Sequence, residues 1–538
     1  MTKEIKNEKF FADPSELLDA IPSPSEALSA LKEHAPSPKE ALNVLKDKAQ
    51  TPLDALHALK EHAPSPRQAL NSLKEHAPNP KNALNALKNF TTSPSAWSDK
   101  KEICADSKYH ILPQNLQSRE LIKVPFTKAM KETHTILVPT MLPIHFQFLV
   151  KILHLHGYKA ELLKNHSKSV IDEGVKNVHN DTCYPALLVI GQMIDALKSG
   201  EYDLKKVALL ITQTGGGCRA SNYIHLLRKA LVKAGFGFVP VISLNFSGLE
   251  KDSGFQINKE MLLSLVSAVI YGDLLMCISN QCKPYEINAG DTDKMLNSWI
   301  ERLCSPATNE GLTKYKALKR DTKAILRDFA SIPMRDEKRV KVGIVGEIYV
   351  KFSPLGNNNL EEFLLNEGCE VVIPGFLDFA LYCVNDTIIE GNLYGGKLRT
   401  KLIYKAVLWY FERRQKDMIK AIEKHGRFRA PSAFSHTKRL ARGYVSEAMN
   451  MGEGWLLTAE MLELIAQGVG NIVCTQPFGC LPNHIVGRGM MKIIKERNPQ
   501  SNIVSIDYDP GATKVNQENR IKLMLSNAKK ALKEQAVE

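Results

Sequence analysis

Three cysteines stand in sequence contexts that suit metal chemistry. Cys183 lies just ahead of a helical pattern that begins near Pro185, and Cys218 follows an apolar, strand-like run. Cys480 also follows a strand-like run and precedes Pro482, which marks the next helix start. We predict that all three lie in strand-to-helix loops. There the partial positive charge and free N–H groups of a helix N-terminus favour the thiolate, which is the form that binds iron and zinc.

A run of three glycines precedes Cys218: Gly215, Gly216 and Gly217. Glycines place no side chains beside the sulfur, so backbone N–H groups can approach a bulky anionic group and donate hydrogen bonds to its sulfides. Such hydrogen bonds tune an iron–sulfur cluster.

Three polar residues neighbour these cysteines: Arg219, Asn222 and His484. They are candidates for hydrogen-bond donors to a cluster or for proton carriers. The alternative is that they cap helices or form ordinary surface hydrogen bonds.

The remaining cysteines give weaker signals. Ten cysteines in 538 residues are too few for a disulfide scaffold, so we expect free thiols, metal ligands or redox groups. Cys277 and Cys282 form a C-x4-C pair, but no second pair follows at the spacing of a zinc ribbon. The others have the pattern of small buried hydrophobic residues: Cys104, Cys304, Cys369, Cys383 and Cys474.

Strand and helix patterns alternate after about residue 100, which is typical of a parallel α/β sheet. We predict two doubly wound parallel-sheet lobes with a helical connecting region at about 261–332, and an N-terminal α-helical segment of 14-residue repeats. The predicted domains are 1–100 for the repeats, 101–335 for the first lobe with its helical extension, and 336–538 for the second lobe. Ligands are expected in the cleft at the carboxyl ends of the strands. The strand-like runs are HTILVPT, KAELL, KKVALLITQT, FVPVISLN, KRVKVGIVGEIYV, CEVVIPGF, GNIVCTQPFG and NIVSIDYDPG.

The N-terminal repeats are marked by Pro24, Pro38, Pro52, Pro66, Pro80 and Pro94. Each unit has a capping residue before its proline and a narrow stripe of leucines, which predicts a short helix. The repeats form either a docking or spacer module or a repeat expansion without chemistry. His34, His62 and His76 recur at unit ends, where the helix dipole explains them more simply than a metal does.

Composition excludes several classes of protein. Lys and Arg number 71 against 58 Asp and Glu, but the excess of +13 is scattered, which argues against nucleic acid as a partner. The sequence shows no apolar run of ~18 to 20 residues and no secretory signal, so we expect no membrane and a cytoplasmic location.

Two further segments carry weaker signals. A basic stretch after Lys424 offers an anion site or a docking face, although solvated surface charge explains it more simply. It carries Arg427, Arg429, Lys438, Arg439 and Arg442. The GEGW segment around Glu453 and Trp455 either closes over the cleft or, as we favour, forms a turn followed by a helix start.

Seven segments resemble those of the acyl-CoA dehydratase activase-related proteins, a region similar to the subunits of 2-hydroxyacyl-CoA dehydratases. The resemblance covers about residues 108–525 and leaves out the repeats. The segments are NDTCYPALLVIGQ, TQTGGGCRASNYIHLLRKAL, VPVISLNFSGLEK, GEIYVKFSPLGNNNLEEFLLNEG, GEGWLLTAEM, QPFGCLPNHIVGRGMMK and SIDYDPGATKVNQENRIKLML.

This resemblance implies a function. In the dehydratases, three cysteines of each subunit hold a [4Fe-4S] cluster whose fourth iron is left open, and by position these ligands would be Cys183, Cys218 and Cys480. The chain shows no phosphate-binding loop and no activase segment, so an ATP-hydrolysing activase on a separate chain would supply the electrons. The implied activity is that of a dehydratase-like lyase or a low-potential reductase, acting on an acyl-CoA or another small molecule in a homo- or heterodimer. No CoA-binding residues are carried over.

Two alternatives stay open at this point. The cluster is either a single cubane or a larger fused cluster. From a different class, the chain is a non-catalytic scaffold or assembly component that binds no iron.

Overall fold

The strands in the part of the chain that the structure describes fall within the runs predicted to be strands. The computed structural model describes residues 123–179, 181–213, 217–245 and 253–537, which belong to one compact unit, Arg119–Glu538. It shows an α/β protein with two four-stranded parallel sheets, so the predicted α/β class is confirmed. The repeats, their histidines and Cys104 lie outside the described residues.

The first sheet has all neighbouring strands parallel, in the order β2-β1-β3-β4. Since β1 has later strands on both sides, the chain changes winding direction between β1 and β3. Their carboxyl ends therefore border a crevice. The elements are α1 (Met130–Thr133), β1 (Thr135–Val138), α2 (Pro143–Leu155), β2 (Lys159–Leu162), α3 (Lys168–Asn177), α4 (Tyr184–Lys198), β3 (Val207–Gln213), α5 (Tyr223–Ala234) and β4 (Val241–Asn245).

The predicted helical region follows the first sheet. It consists of α6 (Lys259–Cys282), α7 (Asp291–Cys304), α8 (Glu310–Thr313) and α9 (Tyr315–Ala330). Helix α6 packs against α2 of the first lobe and against β6 (Glu370–Val372) of the second, so this region joins the two sheets.

The second sheet repeats the topology of the first, in the order β6-β5-β7-β8 with all pairs parallel. Its crevice lies between β5 and β7. The elements are β5 (Lys341–Gly346), α10 (Ile348–Phe352), α11 (Pro354–Asn357), α12 (Leu360–Asn366), β6, α13 (Phe376–Leu393), α14 (Leu398–His425), α15 (Phe434–Leu440), α16 (Trp455–Ala466), β7 (Asn471–Pro477), α17 (Met491–Arg497), β8 (Asn502–Tyr508) and α18 (Lys514–Val537).

The core explains why these runs are continuously apolar. Ile136, Leu137 and Val138 of β1 are all completely buried, because helices cover both faces of each sheet. Each such side chain contributes about 1.5–3 kcal/mol relative to exposure. Helices α3 and α4 approach closely because Gly174 and Gly191 face the opposing backbone, where a Cβ would collide. This packing holds the loop that carries Cys183.

One helix corrects an expectation from the sequence. Among the described residues, α6 is long and apolar enough to cross a bilayer, although no such segment was expected. In its most apolar 18-residue stretch, 61% of the residues are buried inside the protein. The apolar length of α6 therefore serves core packing, and the sequence rule missed it because Asp273 interrupts the run.

Candidate metal centre

Each of the three predicted cysteines stands at the start of a helical turn. Cys183 is the N-cap residue of α4, and Cys218 caps a 3-10 turn, Arg219–Asn222, ahead of α5. Cys480 follows β7 and precedes a π-helical turn, Asn483–Gly487. The strand-to-helix prediction holds for Cys218 and Cys480. It is wrong for Cys183, whose loop follows a helix, α3, that the sequence analysis did not identify.

The three loops meet although they come from different parts of the chain. The backbone N–H of Tyr184 donates to the carbonyl oxygen of Phe478 at 3.0 Å, which ties the Cys183 loop to the Cys480 loop. A Cβ at Gly479 would lie 3.1 Å from Cys183 Cα, and one at Gly452 would lie 3.9 Å from Cys218 Sγ. Both sheets therefore contribute to one site.

The thiols are also close enough to act on one another electrostatically. Negative charge on Cys183 raises the pKa of Cys218, and charge on Cys218 raises the pKa of Cys480. The structure thus brings all three predicted cysteines together.

Backbone N–H groups approach each sulfur, as expected at helix starts. The donors are Ala186 to Cys183, Ala220 to Cys218 and Asn483 to Cys480. The Ala220 nitrogen lies 3.5 Å from Cys218 Sγ. In addition, the hydroxyl of buried Tyr223 lies 3.2 Å from Cys183 Sγ.

The expected thiolate state does not follow from these contacts. Burial raises the pKa of each thiol, and nearby carboxylates add to the effect, so that the pKa of Cys218 reaches about 12. Without a bound cation, the three cysteines are therefore neutral thiols at pH 7. The prediction of thiolates was wrong because the cost of burying a charge exceeds the benefit of the helix N-termini.

Two buried carboxyl groups share this site. Glu347 follows β5 and caps α10, where its Oε2 accepts the N–H of Val350 at 2.9 Å. Glu453 Oε1 accepts the N–H of Ile348 at 3.0 Å. Burial, together with the neighbouring Glu453, raises the pKa of Glu347 to about 8. At neutral pH Glu347 therefore holds a proton. Both carboxyl groups lie near the cysteines, because both act electrostatically on Cys218 and Cys480.

Sequence reasoning missed Glu347. Its signal was the acidic residue directly after the apolar strand VGIVG, at a carboxyl strand end where ligands bind. The turn and helix start predicted at GEGW are confirmed, because Gly454 is the N-cap residue of α16 and Trp455 begins the helix. The burial of Glu453 was not foreseen.

A buried polar network continues behind these carboxyl groups. Lys351 Nζ lies 2.8 Å from Glu460 Oε1, and their side chains are 1% and 3% exposed. Glu463, one helical turn after Glu460, accepts hydrogen bonds from the Ser432 N–H and the Thr437 hydroxyl, both at 3.1 Å. Burial raises the pKa of Glu463 to about 7.

We expect Glu463 to make stability depend on pH. Its carboxyl group binds a proton at a higher pH in the folded chain than in the unfolded one, where the pKa is near 4.5. The free energy of unfolding should therefore fall by up to about 3 kcal/mol as pH rises from below 5 to above 7. Glu463→Gln should reduce the pH dependence of the thermal unfolding temperature in this range. Glu496→Gln, which changes an exposed residue, should leave that pH dependence unchanged. Equal slopes in both variants would refute the assignment.

The polar neighbours expected around the cysteines are mostly exposed. Arg219, Asn222 and His484 are all exposed, and Nδ1 of His484 contacts the side-chain nitrogen of Gln476. Arg219 lowers the pKa of Cys183 electrostatically, though less than burial raises it. Gly217 packs against Met451, and Gly215 and Gly216 lie outside the described residues.

The two thiols of the C-x4-C pair do not face a common partner. Cys277 and Cys282 lie on one helix and face different partners, the carbonyl oxygens of Arg429 at 3.7 Å and of Phe329 at 3.9 Å. The remaining described cysteines behave largely as expected, with Cys304, Cys369 and Cys474 buried and Cys383 partly buried.

Two residues of the basic stretch form ion pairs with acidic residues. Arg429 pairs with Glu370 at 2.8 Å and Lys438 with Glu447 at 3.0 Å. These contacts favour the structural explanation for this segment.

The donor atoms of the site, three thiol sulfurs, suit an iron–sulfur cluster. Thiols are the ligands that iron–sulfur clusters use. Thr182 Oγ1, beside Cys183, and Gln476 Oε1, at the end of β7, are buried without a hydrogen-bond partner among the described residues. In the same part of the chain, no group of three or more histidine, cysteine or acidic side chains is arranged to bind a single metal ion. A cubane does not require that arrangement, since each cysteine binds a different iron.

No family model matches the chain, and no curated protein matches it.

The close contact at Gly479 gives a test of the site. Gly479 has a φ of 77°, and its missing side chain lets the Cys480 loop approach Cys183. Gly479→Ala should lower the iron bound after anaerobic reconstitution several-fold. Gly468→Ala is a matched control, because Gly468 also has a φ of 77° but nothing lies within 4 Å of its added Cβ. Equal iron contents in the two variants would show that the two loops need not approach this closely.

Proposed function

We propose that the protein is an iron–sulfur redox protein of the 2-hydroxyacyl-CoA dehydratase type. Cys183, Cys218 and Cys480 would hold a [4Fe-4S] cluster, and a separate ATP-hydrolysing activase would deliver its electrons. The single observation that supports this most is the convergence of three thiols, from loops on both sheets, at one site.

The surroundings of the thiols support the same proposal. A backbone N–H reaches each sulfur, and such hydrogen bonds stabilise negative charge on a cluster. The raised thiol pKa values are compatible with ligation, because a coordinating metal displaces the thiol proton. When bound, the cluster would supply single electrons at low potential.

The two buried carboxyl groups would supply protons. Glu347 is protonated at neutral pH, and loss of hydroxide from a 2-hydroxyacyl substrate needs a proton donor. Glu453 keeps the pKa of Glu347 high, since two neighbouring carboxyl groups resist carrying two charges. We infer that Glu347 donates the proton to the leaving group and that Glu453 sets its pKa.

The rim of the site is suited to a protein partner. Near the cysteines, five large apolar side chains are exposed: Met449, Met451, Phe478, Leu481 and Ile485. Exposed apolar groups that cluster around a functional site favour protein association. We propose this rim as the surface on which the electron donor docks.

Anaerobic iron and sulfide analysis tests the proposed function. Protein reconstituted with iron and sulfide without oxygen should be brown, carry about four irons and four sulfides per chain, and bleach in air. Colourless protein without iron after the same treatment would favour the non-catalytic scaffold instead.

A further inference from the structure

The hairpin formed by α13 and α14 exposes an unusual apolar surface. The fully buried residues of the 28-residue helix α14 all lie at or after Gln415, so only one side of its first half packs against the core. In that half, Leu398 is 70% exposed, Leu402 57% and Trp409 62%. More large apolar side chains are exposed at the same end of the hairpin: Leu393, Tyr394, Ile403 and Val407.

Three of these side chains form a stripe along α14, and Ile403 and Val407 lie outside it. At about 100° per residue, Leu398, Leu402 and Trp409 fall within about 40° of one another around the helix axis. Phe411, which packs against the core, lies on the opposite side of the helix, and Leu408, which also packs against the core, lies about a quarter turn from the stripe. The stripe is therefore open to a partner.

Positive charge surrounds the stripe. From Gly391 to Phe411 the sequence has four basic residues and no Asp or Glu; the basic residues are Lys397, Arg399, Lys401 and Lys405. None of the four forms an ion pair with another described residue. Lys401 and Lys405 border the stripe on one side and Arg399 on the other, as the helical spacing places them.

This charge pattern selects the partner. A second copy bound through a two-fold axis would bring the same cations face to face, which is unfavourable. An anionic partner is complementary instead. Helices that lie in the interface of a bilayer combine Trp, Tyr and Leu with Lys and Arg, and their long basic side chains reach lipid phosphates.

We propose that the α13–α14 hairpin binds the surface of an anionic lipid bilayer through Leu398, Leu402 and Trp409. This peripheral contact revises the expectation that the protein has no membrane partner. It is independent of the proposed iron–sulfur function, because no cysteine of that site takes part.

Vesicle flotation of the full chain tests the proposal. The protein should bind vesicles of phosphatidylcholine with phosphatidylglycerol, bind vesicles of phosphatidylcholine alone weakly, and dissociate at high salt. Lys401→Glu/Lys405→Glu and Leu398→Ser/Leu402→Ser should each weaken binding by about tenfold or more. On binding, tryptophan fluorescence should shift to shorter wavelength in the wild type but not in Trp409→Phe.

Matched controls separate this surface from general charge and apolarity. Lys492→Glu/Lys530→Glu makes the same change in net charge elsewhere, and Leu523→Ser removes a leucine that is 69% exposed on α18. Both controls should bind as the wild type does. Absence of binding at low salt, or equal loss in variants and controls, would overturn the proposal. So would a wild-type dimer that Leu398→Ser/Leu402→Ser dissociates while vesicle binding is absent.

Discussion

Lys351→Met should lower the free energy of unfolding by about 3–5 kcal/mol. The ammonium group of Lys351 and the carboxylate of Glu460 are both buried and lie 2.8 Å apart. Removal of the lysine leaves an acid in the core whose pKa burial raises and which Lys351 no longer stabilises as an anion. Chemical denaturation at pH 7, with circular dichroism as the readout, measures the change.

A double variant and a surface pair serve as controls for this prediction. Lys351→Met/Glu460→Leu replaces both charges by apolar groups and should recover most of the loss. Lys529→Met breaks a more exposed pair with Glu367, 3.2 Å apart, and should cost less than about 1 kcal/mol. If Lys351→Met also lowers the free energy of unfolding by less than about 1 kcal/mol, the buried pair contributes nothing to stability.

Cys183→Ser, Cys218→Ser and Cys480→Ser should each abolish or strongly reduce cluster binding. A serine hydroxyl is a poor ligand for a cluster that thiolates hold, and each cysteine would bind a separate iron. Iron and sulfide per chain after anaerobic reconstitution should fall from about four to below one, while far-ultraviolet circular dichroism stays unchanged.

Cys369→Ser is the matched control. Cys369 is a completely buried cysteine directly before β6 of the second lobe. Burial also raises the pKa of its thiol. This variant should lose some thermal stability but keep its iron. Retention of iron in all three site variants would remove these residues as ligands.

The sheets could be predicted because their sequence signals are local. Runs such as Thr135–Val138 and Lys341–Gly346 are apolar and flanked by turn residues, and burial on both faces of a parallel sheet requires that composition. The sequence pattern did not indicate helix α3, so the prediction placed a strand rather than a helix before the loop that carries Cys183.

The convergence of the cysteines could not be derived from spacing. Residues far apart in sequence meet only through the packing of the two lobes, as the contact between Gly479 and Cys183 illustrates. The thiol pKa values were misjudged for a related reason. The helix N-termini are visible in sequence, but the burial that outweighs them is not.

The burial of the two acidic residues at the site could not be predicted from sequence. Glu347 and Glu453 look like surface residues, since an acidic residue is normally exposed. Their burial depends on contacts such as that between Glu453 and the N–H of Ile348, which come from distant segments.

Crystallography with the anomalous signal of iron tests the central claim most directly. Protein should be purified and crystallised without oxygen after reconstitution, with diffraction measured on both sides of the iron absorption edge. We predict a compact anomalous peak among Cys183, Cys218 and Cys480. Iron located elsewhere, or three free thiols in crystals of iron-loaded protein, would contradict it.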